Sequence, residues 1–551
     1  MVPDIVLGPL LRYTSETEAT VWVEVDEPCT VEILDATAPT FTVDGHHFAL
    51  VVIEGLAPAS EQAYEVRLDG VVRWPLPDSP FPPSVIRTLD TGAPLTMAFG
   101  SCRVAAPHEE PWTLTKDDDE ERGFEHDALR VLAVEMAWGD RDNWPEYLLM
   151  LGDQVYADIG APETRAFIRG RRDTEVPPGE EVLDFEEYTQ LYREAWSDPL
   201  LRWLCSTVSV GMIWDDHDMG DDWNISHAWV EEMEEHDWWH RRRRAGLVSY
   251  WIYQHAGNLS VDELDENDLW QQVRDGGEVT DAFDDFAERA GTTGEGVRWS
   301  HARDFGPTRL VVIETRAGRV LEEDHRAMVD DESWRWLTER LRGDVDHLVV
   351  ATTDPYLLMP ALHDLEAWSE RVCDGEWGGW FAERGEKLRR ELDFDHWASF
   401  GESFARLTDR IREVATGRHG AAPASITVLS GDVHHAYLAE VDLRVDGAAS
   451  PVHQMVCSPV RNPLEAKERR VIRFASSAVA RGIGRLLRWS AVAPKPSIGW
   501  EVVEGPWFDN QVATLRHDGR HAEVRLDKTI EGGTDDDDRR LERVFKRSLT
   551  G

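Results

Sequence analysis

The sequence predicts an α/β fold that follows a smaller all-β domain. Short apolar runs of strand length recur after residue 95 and alternate with longer stretches of helical character, which is the pattern of a sheet flanked by helices. Residues 1–90 contain only short β-prone runs separated by turns. The chain has 551 residues, 42% of them hydrophobic, so it is long enough to form more than one domain.

The N-terminal domain, residues 1–90, is predicted to be a small β-sandwich. Its β-prone runs are separated by turn sequences such as Asp44-Gly45 and Asp69-Gly70, and a proline-rich segment at 75–83 leads out of it. Short strands at regular spacing are typical of sandwiches of the fibronectin type III kind. We interpret the domain as a packing platform, and binding of a carbohydrate or a protein partner is the alternative.

Residues 95–530 make up the predicted α/β domain. Helical patterns occur in four of its segments, namely 184–203, 231–256, 331–341 and 400–416. An acidic run at 535–538 follows Gly532-Gly533, so residues 531–551 are predicted to form an exposed acidic C-terminal tail.

The composition limits the classes of function. The net charge is −47 and the pI is about 4.7, and such a surface repels polyanions, so no nucleic acid polymer is expected as a partner. Five cysteines without a Cys-x-x-Cys pattern favour a reducing compartment. The N-terminus shows no secretory signal, and no stretch approaches 18 apolar residues. We therefore expect a cytoplasmic protein without a transmembrane segment.

Six apolar runs stop at polar clusters that could bind a metal. The runs are 95–99, 147–151, 207–214, 310–313, 348–350 and 426–429. In open α/β sheets, ligands bind outside the carboxyl ends of the strands. The clusters contain carboxylates, imidazoles, a thiol, a phenol and arginines. The sequence therefore predicts one metal site assembled from distant parts of the chain.

Two clusters hold candidate ligands in short motifs. Asp153 and Tyr156 follow one apolar run, and a carboxylate can bridge two cations while a phenolate suits ferric iron. The alternative is a tyrosine hydroxyl that caps the turn. Asp432 and His434 are two residues apart, so on a strand they face the same way and can point at one metal. The alternative there is a hydrogen-bonded pair in a loop.

A third cluster surrounds one histidine with three carboxylates, at 215–218. Clustered carboxylates repel, and a cation relieves the repulsion. His217 could act as a general acid toward a leaving oxygen. The alternative is an acidic helix start.

Cys102, Arg103 and Arg316 also follow strand-like runs. The Cys102 thiolate could bind a metal, or the residue could be a small buried hydrophobe. An arginine binds phosphate through two parallel hydrogen bonds, but in so acidic a chain each could equally form a salt bridge.

The ordered set of motifs resembles the PhoD-like (alkaline phosphatase D) family of the metallophosphatase superfamily. The matching stretches are 95–102, 151–156, 214–218, 312–316 and 429–434. The resemblance spans roughly residues 1–530. It implies a metallophosphatase-type β-sandwich flanked by helices (α/β/β/α), preceded by an N-terminal β-sandwich. Members hydrolyse phosphomonoesters and phosphodiesters, typically with iron and calcium, and are often exported.

The resemblance also implies a ligand set. Fe(III) would be held by Cys102, Asp153, Tyr156 and His434, and Asp153 would bridge to a second cation completed by Asp216 and Asp432.

Three positions depart from the family pattern. Glu314 replaces an aspartate, Asp221-Asp222 replaces an asparagine pair, and Thr353 or Asp354 stands where the superfamily has a metal-binding histidine. More carboxylate and less imidazole favour calcium, magnesium or manganese as the second cation.

These features predict a hydrolase of small phosphate esters. A metal-bound hydroxide would attack phosphorus, His217 would protonate the leaving group, and Arg316 and Arg103 would hold the phosphoryl oxygens. The alternatives are a phosphodiesterase with little monoesterase activity and a non-catalytic, metal-dependent protein that binds phosphate-like anions. The oligomeric state is left open.

One basic segment, 467–489, is unusual in so acidic a chain because its arginines and lysine lie among apolar residues. Read as one amphipathic helix, it could dock on the acidic body of the protein. The alternatives are a lid over the metal site or a peripheral contact with anionic lipid.

Overall fold

The structure is a computed structural model of the chain. It describes residues 3–550 except 117–122, 293, 295–296, 323–324 and 531–539. The described residues form a mixed α/β fold with an N-terminal all-β region, as the sequence predicts. Among them, no helix is long and apolar enough to cross a bilayer.

The strands of the described residues are β1 (Ile5–Thr14), β2 (Ala19–Val25), β3 (Thr30–Ile33), β4 (Ala36–Pro39), β5 (Phe41–Val43), β6 (His46–Ile53), β7 (Glu61–Ala63), β8 (Val66–Leu68), β9 (Val71–Trp74), β10 (Val85–Arg87), β11 (Leu95–Gly100), β12 (Tyr147–Leu151), β13 (Ser209–Ile213), β14 (Gly277–Glu278), β15 (His301–Phe305), β16 (Thr308–Ile313), β17 (His347–Thr352), β18 (Ser425–Ser430), β19 (Ala436–Asp442), β20 (Val452–Val456), β21 (Gly499–Trp507), β22 (Gln511–Asp518), β23 (His521–Thr529) and β24 (Leu541–Ser548).

The α-helices are α1 (Ala128–Trp138), α2 (Pro162–Arg171), α3 (Phe185–Trp196), α4 (Pro199–Thr207), α5 (His227–Glu234), α6 (Trp239–Tyr250), α7 (Val261–Glu266), α8 (Asp268–Val273), α9 (Thr280–Thr292), α10 (Asp331–Arg340), α11 (Pro360–Cys373), α12 (Gly379–Glu391), α13 (Gly401–Ala415), α14 (Ala466–Ala475) and α15 (Ala478–Ser490).

The N-terminal region is a sandwich of two sheets. One sheet has the order β1-β2-β6-β5-β14 and the other the order β4-β3-β8-β9. Residues from both sheets, such as Val21, Val51 and Ile33, share one core. Strand β14 comes from the second domain and pairs in parallel with β5, so the sandwich is joined to the α/β domain by a shared sheet.

The α/β domain is built on two further sheets packed face to face. Their orders are β13-β12-β11-β22-β23-β24 and β15-β16-β17-β18-β20-β19-β21. Alternate residues of a strand face opposite sides of its sheet. In β16, Leu310 and Val312 accordingly join the core between the sheets, whereas Val311 and Ile313 pack with Leu337 of α10 in the outer core. Helix α1 packs on the outer side of the other sheet.

The predicted apolar runs are strands, and their carboxyl ends lie together. Strands β11, β12 and β13 are parallel neighbours, and so are β16, β17 and β18. Because parallel strands present their carboxyl ends at one edge, the polar clusters that follow them are brought to the same side of the domain.

Two predicted helices are each broken in two. The helix predicted at 184–203 is divided into α3 and α4, because Asp198 caps α4 by accepting hydrogen bonds from the amides of Leu200 and Leu201 and Pro199 begins the new helix. The helix predicted at 231–256 is likewise divided, into α5 and α6.

The C-terminus also differs from the prediction of a tail. Strand β24 pairs with β23 along its length, from Glu523 opposite Ser548 to Thr529 opposite Leu541. The acidic run at 535–538 lies outside the described residues.

Candidate metal centre

Three of the predicted ligands come together from distant strand ends. Ligand atoms of Cys102, Asp153 and His434 all lie within 4.8 Å of one another. The Cys102 thiol donates to the carbonyl of Asp432 at 3.3 Å, which ties the β11 loop to the β18 loop. A Cβ on Gly431 would overlap the Ser101 hydroxyl, so this close approach requires glycine.

The backbone is strained at this cluster. Cys102, Asp153, Asp432 and His434 have φ angles of 57°, 53°, 66° and 49°, in the left-handed region that non-glycine residues rarely adopt. Each such residue costs on the order of 1 kcal/mol, and strain of this kind concentrates at functional sites. The strain shows that packing and the loop contacts hold these four residues in place.

Tyr156 completes the first cluster. Its hydroxyl donates to Asp153 Oδ2 at 3.2 Å and accepts a hydrogen bond from Asn462 Nδ2 at 3.2 Å. Asn462 is a functional candidate that the sequence analysis missed, because it follows no strand-like run and a lone asparagine carries no signal. Its amide orients the phenol oxygen toward the carboxylate.

The charges of this cluster fit a bound cation. Burial raises the pKa of Cys102, of Asp153 and of Tyr156 well above their ordinary values. Among the described residues Asp153 Oδ1 is buried without a hydrogen-bond partner. Burial also lowers the pKa of His434 to about 3, which leaves a neutral imidazole able to bind a metal. A cation would stabilise the ionised thiol, carboxylate and phenol together.

A second cluster adjoins the first. Ligand oxygens of Asp215, Asp216 and Asp432 lie within 4.8 Å of one another, and Asp153 and Asp216 form a similar group with His217. Asp153 therefore belongs to two clusters, which is the arrangement expected of a bridging carboxylate. Asp215 belongs to the predicted cluster at 215–218 but not to the predicted ligand set, and its Oδ2 is buried without a hydrogen-bond partner among the described residues.

His217 is held by a carboxylate that the sequence analysis also missed. Its Nδ1 lies 2.8 Å from Asp158 Oδ2, and its ring packs 4.6 Å from the ring of Tyr156. Burial lowers the pKa of His217, but Asp158 and Asp216 outweigh it and raise the pKa well above 6.5. These carboxylates favour the protonated imidazole, which is the form that can donate a proton.

Arg316 lies at the centre of a buried ion network. It pairs with Asp215 and Asp395, and its Nη2 lies 3.2 Å from Asp354, 3.5 Å from Asp216 and 4.0 Å from Asp432. Its side chain is only 1% exposed. The buried guanidinium thus partly neutralises the carboxylates of the second cluster.

The structure places Arg103 in a separate network. Its Nε lies 2.7 Å from Asp127 Oδ2, and its Nη1 donates to the carbonyl of Ala195 at 2.8 Å. Arg103 anchors the loop that carries Cys102 to α1, because Asp127 also caps that helix.

His396 is a further imidazole at the second cluster. Its Nε2 lies 2.8 Å from Asp432 Oδ2 and its Nδ1 lies 2.7 Å from Glu366 Oε1. The only sequence signal for it is the acidic run that precedes it, Asp393 and Asp395. Neither Thr353 nor Asp354 carries an imidazole, and a ring nitrogen of His396 contacts the Asp432 carboxylate instead.

Glu314, which stands where the family pattern has the shorter aspartate, forms hydrogen bonds within its own loop. It accepts hydrogen bonds from the indole of Trp214 at 3.0 Å and from the amide of Gly318 at 2.9 Å. Its carboxylate therefore orders the loop that carries Arg316.

Comparison with known proteins agrees with this geometry. The model of the PhoD-like phosphatase family matches residues 135–487. The chain belongs to the PhoD-like phosphatase family. The resemblance seen in the sequence is thereby confirmed. Membership of this family supports phosphoesterase activity for the chain. Residues 2–86 match a domain of unknown function (DUF7800).

A solved structure described as "Structure of PhoD" shares the fold of this PhoD-like chain. The TM-score is 0.58 at 13% sequence identity, and the match covers 99% of this chain and 91% of that one. No curated protein matches the sequence. The fold class predicted from the sequence, a helix-flanked pair of sheets after a small sandwich, is confirmed.

Proposed function

We propose that this PhoD-like phosphatase is a metal-dependent hydrolase of small phosphate esters. Cys102, Asp153, Tyr156 and His434 would hold Fe(III). Asp153, Asp216 and Asp432 would hold a second, divalent cation, calcium, magnesium or manganese. The observation that carries the proposal is the convergence of Cys102, Asp153 and His434, whose ligand atoms lie within 4.8 Å of one another although the residues are up to 332 positions apart in the chain.

The donor set supports two different cations. A thiolate, an imidazole and a phenolate suit a transition metal such as ferric iron, whereas a site built from carboxylates suits a hard cation. When bound, the cations would neutralise the phosphoryl oxygens and acidify the water that attacks phosphorus. The protein residues do the rest by placing the ester and moving a proton.

The exposed side of the site indicates where the ester would bind. The side chains of His217, Asp216 and Asp432 are 17%, 13% and 18% exposed, whereas Cys102 and Asp153 are almost fully buried. The ester would approach across this partly exposed rim. His217, held by Asp158, would then protonate the leaving alkoxide.

The two arginines have supporting roles in this proposal. Arg316 holds the second-cluster carboxylates in register and limits their repulsion, so it acts on the ester through them. Arg103 fixes the loop of Cys102 through Asp127. Phosphoryl transfer depends mostly on placement and charge neutralisation, which such networks provide.

The test combines metal analysis with two substrates. Elemental analysis of protein purified without chelator should find iron and one divalent cation. 4-Nitrophenyl phosphate and bis(4-nitrophenyl) phosphate separate monoesterase from diesterase activity. Asp153→Asn and His434→Ala should each lose turnover and bound metal, whereas His227→Ala on the surface of α5 should change neither. Full activity and metal content in either site variant would remove that residue from the ligand set.

A second candidate function is binding of phosphate-like anions without turnover. The observation that favours it is that Glu314 and Thr353 depart from the family pattern. If this function is correct, the metal-loaded protein binds inorganic phosphate in calorimetry but hydrolyses neither nitrophenyl ester.

A further inference from the structure

The basic segment near the C-terminus is two helices, α14 and α15, and not the single helix predicted from the sequence. The break falls at Ser476-Ser477, and the Ser477 side chain caps α15 by accepting a hydrogen bond from the amide of Ala480. We call residues 466–490 the basic hairpin.

Helix α15 is attached to the protein through its small residues. Ala480 and Gly484 are its buried positions. A Cβ on Gly484 would lie 3.0 Å from the carbonyl of Ala361 in α11, so the two helices approach closely. Arg488 adds an ion pair with Asp364 of α11 at 2.7 Å. The fully buried positions of α15 therefore carry only small residues.

The large apolar side chains of the basic hairpin point to solvent instead. Val479, Ile483 and Leu486 follow one another at helical spacing and are 65%, 49% and 63% exposed, and Trp489 beside them is 77% exposed. A surface helix normally turns its large apolar face inward and its polar face outward. Helix α15 instead exposes its large apolar side chains. This exposed apolar face is therefore a candidate binding surface.

The exposed apolar surface extends beyond α15. Val471 and Phe474 of α14 are 61% and 55% exposed. On the other side, the indole of Trp377 donates to the carbonyl of Ser490 at 3.1 Å, and Trp380 and Phe381 follow it on the surface. Large apolar patches of this kind mark interaction sites in soluble proteins.

The charge of the basic hairpin opposes that of the rest of the chain. Residues 466–490 contain seven lysines and arginines and one glutamate, in a protein whose net charge is −47. The exposed basic side chains of the basic hairpin are Lys467, Arg470, Arg473, Arg481 and Arg485.

We propose that the basic hairpin docks on an anionic lipid bilayer. An amphipathic helix with aromatic and aliphatic residues on one face, flanked by arginines, lies in the interface between headgroups and acyl chains. Basic residues near an anionic leaflet strengthen binding by electrostatic attraction. The net negative body of the protein would face away from the membrane.

Other occupants fit this surface less well. A second copy of the chain would place the same arginines against each other across a two-fold axis, which is repulsive. A nucleic acid would pair with the arginines but leave the apolar stripe of Val479, Ile483 and Leu486 in water. Of these three occupants, the bilayer matches both the charge and the apolar surface.

Vesicle sedimentation of the full chain tests the proposal. The protein should sediment with vesicles of phosphatidylcholine and phosphatidylglycerol in equal amounts at 0.1 M salt. Binding should fall at least tenfold with pure phosphatidylcholine, and also at 0.5 M salt because the Debye length shortens. Leu486→Ser with Trp489→Ser, and separately Arg481→Glu with Arg485→Glu, should each reduce binding at least tenfold.

Matched controls change similar residues elsewhere. Trp138→Ser removes a tryptophan that is 52% exposed on α1, and Arg67→Glu reverses an exposed charge in the N-terminal sandwich. Both should bind vesicles like the wild type. Every variant should keep its hydrolysis of soluble nitrophenyl phosphate, so loss of vesicle binding is distinguishable from loss of the proposed catalytic function.

Three results would overturn the proposal. One is the absence of sedimentation with anionic vesicles. A second is a dimer in light scattering that becomes monomeric on Leu486→Ser with Trp489→Ser, which would assign the face to a second copy. The third is that the hairpin variants hydrolyse bulky soluble esters at a rate different from that of the wild type, while the wild type binds no vesicles. That result would assign the basic hairpin as a lid over the site.

Discussion

His396 Nε2 lies 2.8 Å from Asp432 Oδ2, while its Nδ1 lies 2.7 Å from Glu366 Oε1. Glu366 and His396 are buried, and Asp432 is the partly exposed end of this chain of contacts. The histidine therefore fixes the orientation of a carboxylate that serves the second cluster. Groups of this kind behind a metal ligand commonly contribute 10- to 100-fold to affinity or activity.

We predict that His396→Ala reduces the second cation and not the iron. Asp432 would lose its partner and rotate, whereas Cys102, Tyr156 and His434 would be untouched. Elemental analysis should show iron retained and the divalent cation reduced, with activity down about 10- to 100-fold. Equal loss of both metals would mean that His396 supports the whole fold of the site.

Asp158→Asn should weaken proton donation by His217. The carboxylate accepts from His217 Nδ1 and helps to keep the ring protonated, and general acid catalysis contributes about 10²- to 10⁴-fold. The kcat for phenyl phosphate should therefore fall more than the kcat for 4-nitrophenyl phosphate, whose leaving group needs less help from an acid. The matched control is Asp265→Asn, at a largely exposed carboxylate. Equal losses on the two esters would exclude His217 as the acid.

Arg316→Met should destabilise the folded protein. The change removes the guanidinium partner of the buried Asp215 carboxylate, whereas Asp354 and Asp395 keep their pairs with Arg319. Breaking a buried ion pair in this way costs roughly 3–5 kcal/mol. Urea denaturation followed by circular dichroism measures the loss. Arg67→Met, which breaks a surface pair, should cost about 1 kcal/mol or less. A similar midpoint for both variants would contradict the central role of Arg316.

His46 should make the stability of the protein depend on pH. Burial lowers its pKa, but Glu24 of the sandwich and Glu186 of α3 outweigh burial and raise the pKa above 6.5. A raised folded-state pKa stabilises the protein fully below pH 6.5, and the contribution disappears as pH rises through that higher value. The melting temperature should therefore fall as the pH rises through that value.

His46→Gln tests this contribution because glutamine does not titrate. The melting temperature of this variant should change less between pH 6 and pH 8 than that of the wild type. His227→Gln, at a surface position on α5, is the control and should keep the wild-type slope. An unchanged slope in His46→Gln would show that another group causes the dependence.

The sequence alone indicated the strands and the type of site. A run such as 147–151 is predicted to be a buried strand because it is short, apolar and bounded by glycine and polar residues. The carboxyl ends of such strands meet at one edge, so Asp153, Asp432 and His434 could be selected without a structure. The ordered motifs also pointed to the family that the comparisons confirm.

Only the tertiary structure showed which residues outside the predicted strands contact the site. His396 and Asn462 follow none of the predicted apolar runs, and no local pattern places them at the site. Asp158 does follow such a run, but its pairing with His217 is a contact between two strand-end loops. Arg103 illustrates the opposite case, because its position after a strand suggested the site while Asp127 draws its side chain away. The outward face of the basic hairpin likewise became visible only once α15 was seen to pack through Ala480 and Gly484. Local periodicity encodes which residues can be buried, but the partner they are buried against is set by long-range packing.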